Sequence, residues 1–267
     1  LKHTQVWPGR GIIVESDEPI IVYGMTRYQY TSDGFLAIPT HALGKQYIVS
    51  SYRETADFVS QSLTPYVSIV GVYDNTQVFF YFGGNGNSRI NLGGGQYRQP
   101  GSTITAKLNR GDDWLIASEG AYSDLGGSKV KANKPVAVIS GNHCADVPTG
   151  VAACDVLIEQ EYPMTSWGRK YHVTPIGGRK RSSELRLFAK EVGTHFYRDY
   201  QNETQDQAFW VNDATWGVEG VGWITTRASI DSNTGMVVTA DKPIEVVQYN
   251  PGINDDNVDS DPFQMML

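Results

Sequence analysis

The chain has 267 residues, a net charge of −7, 40% hydrophobic and 11% aromatic side chains. That supports a packed core and excludes wholesale disorder, and the acidic balance speaks against a nucleic-acid partner, which needs clustered Lys and Arg. No run of 18 apolar residues occurs, so no helix is expected to span a membrane, and the one basic cluster, Gly178–Arg181, reads as a solvated turn.

Sustained helical periodicity is missing, and short alternating or β-branched runs punctuated by Gly, Pro, Asn and Asp predict an all-β, antiparallel protein. In chain order the first strands are expected at Gly11–Glu15, Ile20–Met25, Phe35–Ile38 and Gln46–Tyr52. Tyr66–Tyr73, Gln77–Phe82, Ser102–Leu108 and Trp114–Ser118 follow. A second series is expected at Lys129–Lys131, Val136–Ser140, Val156–Glu161, Lys170–Thr174, Glu184–Lys190, His195–Tyr200, Phe209–Val211 and Gly222–Ala228. A third opens at Met236–Thr239 and Ile244–Tyr249 and stops at Phe263–Leu267.

Two phrases recur along this series. VESDEPIIV (14–22) returns as VKANKPVAV (130–138) and VTADKPIEV (238–246), which places Pro19, Pro135 and Pro243 at intervals of 116 and 108 residues. Pro39-x3-Leu43-Gly44-x2-Tyr47-x-Val49 returns 124 residues later as Pro163-x3-Trp167-Gly168-x2-Tyr171-x-Val173. In the first phrase Asp or Asn favours a tight turn and Pro fixes φ at the start of the next strand, so each copy reads as a hairpin. A period near 110 residues suits one compact domain. The expected architecture is therefore tandem β-sandwich-like repeats: 1–127, 128–234, and an incomplete third at 235–267. A propeller-like arrangement is the alternative. The opening at Leu1 and the ending inside an expected strand read as a mature or excised piece of a longer protein.

Cys144 and Cys154 flank a Pro-Thr-Gly turn, a spacing that suits a disulfide closing a loop, with two free core thiols as the alternative. A disulfide implies an oxidising compartment. Gly83–Gly95 lacks the Gly-Lys-[Ser/Thr] of a phosphate cradle and reads as a hairpin tip, with Asn85 and Asn87 as contact residues. Asp255, Asn257, Asp259 and Asp261 alternate as hard oxygen ligands and make a candidate calcium site, although the Gly and bidentate Glu of an EF-hand are absent; a solvated acidic loop is the alternative. Tyr28, Tyr30, His143 and Asp146 complete the candidate binding-loop residues, and Trp210, Trp216 and Trp223 are further aromatics able to anchor a partner. No nucleophile elbow, zinc-protease helix or dinucleotide fingerprint is present; a constellation assembled from distant positions is the enzymatic route left open.

SDEPIIVYG, YTSDGFLAIP (30–39), LGKQYIV, NKPVAVISGNHCADVPTGVAACD, Glu159-Gln160 and SWGRKYHVTP resemble the N-terminal domain of IgG-Fc-binding protein, a family of secreted animal and bacterial surface proteins. The resemblance is densest over 10–52 and 124–175. It implies an extracellular or cell-surface, non-enzymatic recognition or adhesion domain within a larger modular chain, binding protein or glycan without a cofactor. It does not imply that antibody is the ligand. A structural subunit of an extracellular filament or surface layer, able to self-associate, is the alternative.

Overall fold

A computed structural model describes residues 3–53, 63–84, 86–200, 203–205, 222–227 and 235–267. Strand β1 (Gln5–Trp7) precedes a hairpin of β2 (Tyr23–Tyr28) and β3 (Thr31–Leu36). Then come β4 (Gln46–Ile48), β5 (Pro65–Gly71), β6 (Thr76–Tyr81), β7 (Arg89–Gly93), β8 (Gln96–Arg98), β9 (Thr103–Leu108) and β10 (Asp113–Glu119). They lead to β11 (Lys129–Ala132), β12 (Val136–Ala145) and β13 (Asp155–Gln160). The remainder is β14 (Gly168–Val173), β15 (Glu184–Ala189), β16 (Phe196–Tyr200), β17 (Glu203–Gln205), β18 (Gly222–Arg227), β19 (Met236–Asn250) and β20 (Phe263–Met266). One helical turn, α1 (Ile253–Asp256), links the last two.

Two sheets face each other in the first half. One is ordered β13-β12-β5-β10-β7-β8 with β1 added on β10; the other is β4-β11-β6-β9. The strands that build them alternate as half-buried strands should: in Pro65–Gly71 every second residue points into the core. Val67, Ile69, Trp114 and Val138 from one sheet meet Tyr47, Phe80, Ile104 and Val130 from the other in a single core. Each such fully buried aliphatic or aromatic side chain contributes about 1.5–3 kcal/mol. This is a β-sandwich. In the second half β14–β20 form one sheet because β19 runs unbroken for 15 residues. It ladders with β14 and β16 through its first part and with β15 and β20 through its last. Leu185, Leu187, Phe196, Val238, Ile244 and Val246 fill that core.

The strand pairings run across the expected boundaries 1–127, 128–234 and 235–267. β11 and β12 ladder with β4, β5 and β6, so position 127/128 lies inside the first sandwich, and β19 is central to the second. The recurring phrases explain why. Gly44 N–H donates to the Tyr47 hydroxyl at 2.7 Å, which donates to the Val136 carbonyl at 2.7 Å. Gly168, Tyr171 and Ile244 repeat this chain at 2.7 and 2.6 Å. A Cβ at Gly44 would lie 2.4 Å from the Pro163 side chain, so only glycine permits this approach. Asn133 and Gln77 exchange two hydrogen bonds, as do Asp241 and His195. The phrase containing Tyr47 thus closes on the phrase containing Pro135, and that containing Tyr171 on that containing Pro243.

Three hairpins share one register. Tyr23 pairs with Leu36, Ile139 with Gln160 and Val247 with Met266, each four positions beyond the proline of its phrase. Their joining segments, 29–30, 146–154 and 251–262, differ in length and composition.

Gly11–Glu15 is not a strand, and Arg89–Gly93 and Gln96–Arg98 form strands within and just beyond the glycine-rich tip; the strand expected at Phe209–Val211 lies outside the described residues.

Candidate functional site

The sandwiches are joined by a buried seam, which fixes the loops of one relative to the other. Ile48, Tyr52 and Leu157 of the first pack on Trp167, Phe188, Val247 and Tyr249 of the second. β15 is buried at every position because one face fills its own core and the other fills this seam. Arg186, 2% exposed, donates to the Ser51 carbonyl at 2.6 Å, ion-pairs with Asp124 at 3.2 Å, and stacks 4.2 Å from the Tyr52 ring centroid. Tyr249 donates to the Ser50 carbonyl and Tyr52 to Glu184. Ser50 N–H, Ser50 Oγ and Ser140 Oγ all donate to the Glu161 carboxylate.

Burial dominates the electrostatics of this seam. It pushes Glu161 up to about 7 and Glu159 up to about 8. It also raises Glu245, with Glu161 adding repulsion. These groups take up protons near neutrality because charge is costly to desolvate. Among the described residues no three His, Cys, Asp or Glu side chains could hold a metal ion.

At one end of the molecule the three differing loops come together. The β2–β3 tip lies against the start of β13: Thr31 Oγ1 and Ser32 N–H bond the Asp155 carboxylate. The outer edge of β13 is sealed by side chains, with Val156 N–H donating to Thr31 Oγ1 and Ile158 N–H to Asp33 at 2.9 Å. That covers an edge otherwise open to aggregation. The second loop is closed by a Cys144–Cys154 disulfide with a Cα–Cα distance of 5.1 Å. It holds the third: Gly252 N–H donates to the Val147 carbonyl at 2.8 Å, and Asn254 N–H to that of Ala152 at 3.2 Å.

The expected site residues fall into distinct groups. Tyr28 and Tyr30 stand 73% and 87% exposed at the β2–β3 tip, Tyr30 with φ of 70°. Asn87 is exposed in the turn before β7; Asn85 lies outside the described residues, as do Trp210 and Trp216. Trp223 is placed on β18. His143 and Asp146 turn inward. The His143 ring nitrogen Nδ1 bonds the Thr64 carbonyl at 2.8 Å, its ring packs 4.8 Å from that of Tyr66, and burial keeps it neutral by lowering its pKa. Asp146 is buried. His143 lies on β12, which continues to Ala145, beyond the strand end expected at Ser140, and Asp146 opens the joining segment that follows.

The acidic loop is organised by arginine. Asp256 pairs with Arg179 at 2.8 Å and accepts the N–H groups of Lys180 and Arg181; against the opposing effect of burial, these partners lower its pKa. Asp255 lies 3.7 Å from Arg181, Asn257 adopts a left-handed conformation at the end of α1, and Asp259 and Asp261 face solvent. Among the described residues Asp255, Asp259 and Asp261 are not grouped as ligands of one metal ion, and guanidinium groups engage Asp255 and its neighbour Asp256. Sequence reading gave no sign of Asp33 and Asp155, whose edge-sealing role depends on a neighbour in space.

The sequence profile of the family described as "IgGFc binding protein" matches residues 33–267. The chain belongs to this IgGFc-binding family. A human IgGFc-binding protein is 22% identical over 261 residues, covering 96% of this chain and 4% of that protein, so the chain spans a small fraction of its relative's length. No solved structure matches. The matched region contains β4 to β20, with the disulfide loop and the acidic loop. No helix among the described residues is long and apolar enough to cross a membrane.

Proposed function

We propose that this domain is an extracellular, non-catalytic recognition module that binds a protein ligand through its three-loop end. The observation that carries the reading is the placement of Tyr28 and Tyr30, both exposed, on a tip bonded to β13 beside the disulfide-closed loop. Exposed tyrosines on a rigid support are efficient anchors, since they bring large contact area at little entropic cost. The disulfide suits an oxidising compartment, and family membership with a protein named for binding IgG Fc motivates a protein ligand over a glycan. Adhesion at a cell surface is the setting we favour.

The test immobilises the domain and probes it with IgG Fc, a panel of secreted and surface proteins, and a glycan array. A protein should bind, and Tyr28→Ala/Tyr30→Ala should weaken it at least roughly tenfold. Binding that survives the double substitution refutes the site, and binding to glycans alone refutes the protein ligand.

A further inference from the structure

Each sandwich is closed by a proline-containing phrase that arrives late in its unit, as two strands and a turn in the first and within the continuous β19 in the second. In the first, Val130–Val138 lies between the Tyr47 strand on one side and β5 and β6 on the others. Val130 pairs with Tyr47 and Phe80, and Val138 with Ile69. In the second, Val238 pairs with Tyr171 and Arg198, and Val246 with Leu187. Val130, Val136, Val238 and Ile244 are all 0% exposed. The tyrosine hydroxyl grips the carbonyl of the residue after proline, and the Asn or Asp two residues before proline exchanges hydrogen bonds with a neighbouring strand.

The third occurrence of the phrase, Val14–Val22, has the same residue types and none of these contacts. Residues 12–22 belong to no strand among the described residues. Val14 and Ile20, at the positions of Val130 and Val136, are 55% and 50% exposed, and Ile12 and Ile21 are 90% and 74% exposed. Yet the hairpin that follows, β2–β3, has formed in the register of its two counterparts. Residues 14–38 therefore have the sequence and the hairpin of a closing half. The two opening halves among the described residues are already occupied by 130–138 and 238–246. The lysine contacts of the closed units, Lys134 to Asp74 and Lys242 to Val192, have no analogue, since Glu18 stands there.

We infer that residues 12–22 are a docking segment for the opening half of a further module of this same repeat. The partner is a polypeptide with a [Leu/Trp]-Gly-x2-Tyr-x-Val strand and two inner strands, placed ahead of residue 14 as the opening half precedes the phrase in both closed units. Its strands cover Val14 and Ile20, its tyrosine hydroxyl bonds the Ile20 carbonyl, and its inner strand caps Asp17. The outcome is a row of interlocked sandwiches, with each module's closing phrase handed on by the chain.

The test compares the full chain with a chimera in which its own opening half, residues 43–119, is joined ahead of Thr4, preserving the natural spacing to the phrase. A second chimera carries a 15-residue Gly/Ser linker at the junction, in case direct fusion prevents folding. Amide hydrogen exchange over 12–22 should be fast in the full chain and slowed at least about 100-fold in one of the chimeras. Ile20→Asp in that chimera should abolish the protection and leave that of 67–71 and 185–189 unchanged. Fast exchange over 12–22 in both chimeras overturns the inference. So does protection already present in the full chain, whether it is monomeric or, by light scattering, a dimer that Ile20→Asp dissociates; the latter identifies a second copy as the occupant.

Discussion

Tyr47 is fully buried, and its hydroxyl is at once acceptor for Gly44 N–H and donor to the Val136 carbonyl. Tyr47→Phe keeps the ring but strands the buried Val136 carbonyl and the half-buried Gly44 N–H, a buried unsatisfied group being worth about 1–3 kcal/mol. We expect a loss of about 2 kcal/mol in urea unfolding, with less for Tyr171→Phe because Tyr171 is only half-buried. Carboxylates raised by burial make a second prediction at this scale. Asp33 and Glu161 are raised by burial to about 7 and Glu159 to about 8, so the folded state holds protons that the unfolded chain releases near pH 4 to 4.5. Stability from these groups is complete below about pH 4 and is shed as pH climbs, until the folded-state values at 7 to 8 have been passed. The urea midpoint should therefore be higher at pH 5 than at pH 8. Glu161→Gln keeps an acceptor for Ser50 and Ser140 but cannot titrate, and should remove on the order of 3 kcal/mol of that pH dependence. A midpoint that rises from pH 5 to pH 8 would contradict the burial argument.

At the scale of elements, the Cys144–Cys154 disulfide ties the end of β12 to the start of β13 and steadies the loop on which Gly252 and Asn254 rest. Cys144→Ala/Cys154→Ala opens an 11-residue ring and should cost about 3 kcal/mol by loop entropy. Exchange should quicken across 146–154 and 252–256 and remain unchanged in β5 and β15; uniform loosening would show that the bond acts on the whole fold. These elements also show how far sequence carries. The Asx-x-Pro phrases were expected as hairpins, but β11 and β12 lie in different sheets, β19 is continuous, and 14–22 is in no strand. The Gly-x2-Tyr bend and the paired cysteines are local and were legible. Arg89–Gly93 and Gln96–Arg98 were not, because three consecutive glycines mask a short ladder made by Ile90 and Arg98. Gly11–Glu15 has strand composition without the strand, since an edge forms only where a partner ladder exists. His143 reads as loop chemistry because nothing local says that β12 continues past Ser140. Tyr28 and Tyr30 were legible as tip residues, but their proximity to the disulfide loop depends on Asp155 reaching Thr31 across 124 residues.

At the scale of the molecule, the question is whether two sandwiches behave as one. Tyr52, Phe188 and Tyr249 make the seam apolar at its centre, while Arg186 places a buried cation there between Tyr52, the Ser51 carbonyl and Asp124. A buried pair adds little beyond a hydrophobic substitute, but removing one partner leaves the other charged in a medium that cannot solvate it. Arg186→Ala should therefore cost about 3–5 kcal/mol and, because the loss falls on the seam, uncouple the halves. In the unmodified protein one calorimetric transition is expected, with van't Hoff and calorimetric enthalpies in agreement; in Arg186→Ala the van't Hoff enthalpy should fall below the calorimetric one. Asp124→Asn combined with Arg186→Met removes both charges and keeps much of the volume, so it should recover part of the loss. If the double variant is as unstable as the sum of the two single ones, the charge pair is not what binds the sandwiches, and the aromatic packing around Tyr52 and Tyr249 must be.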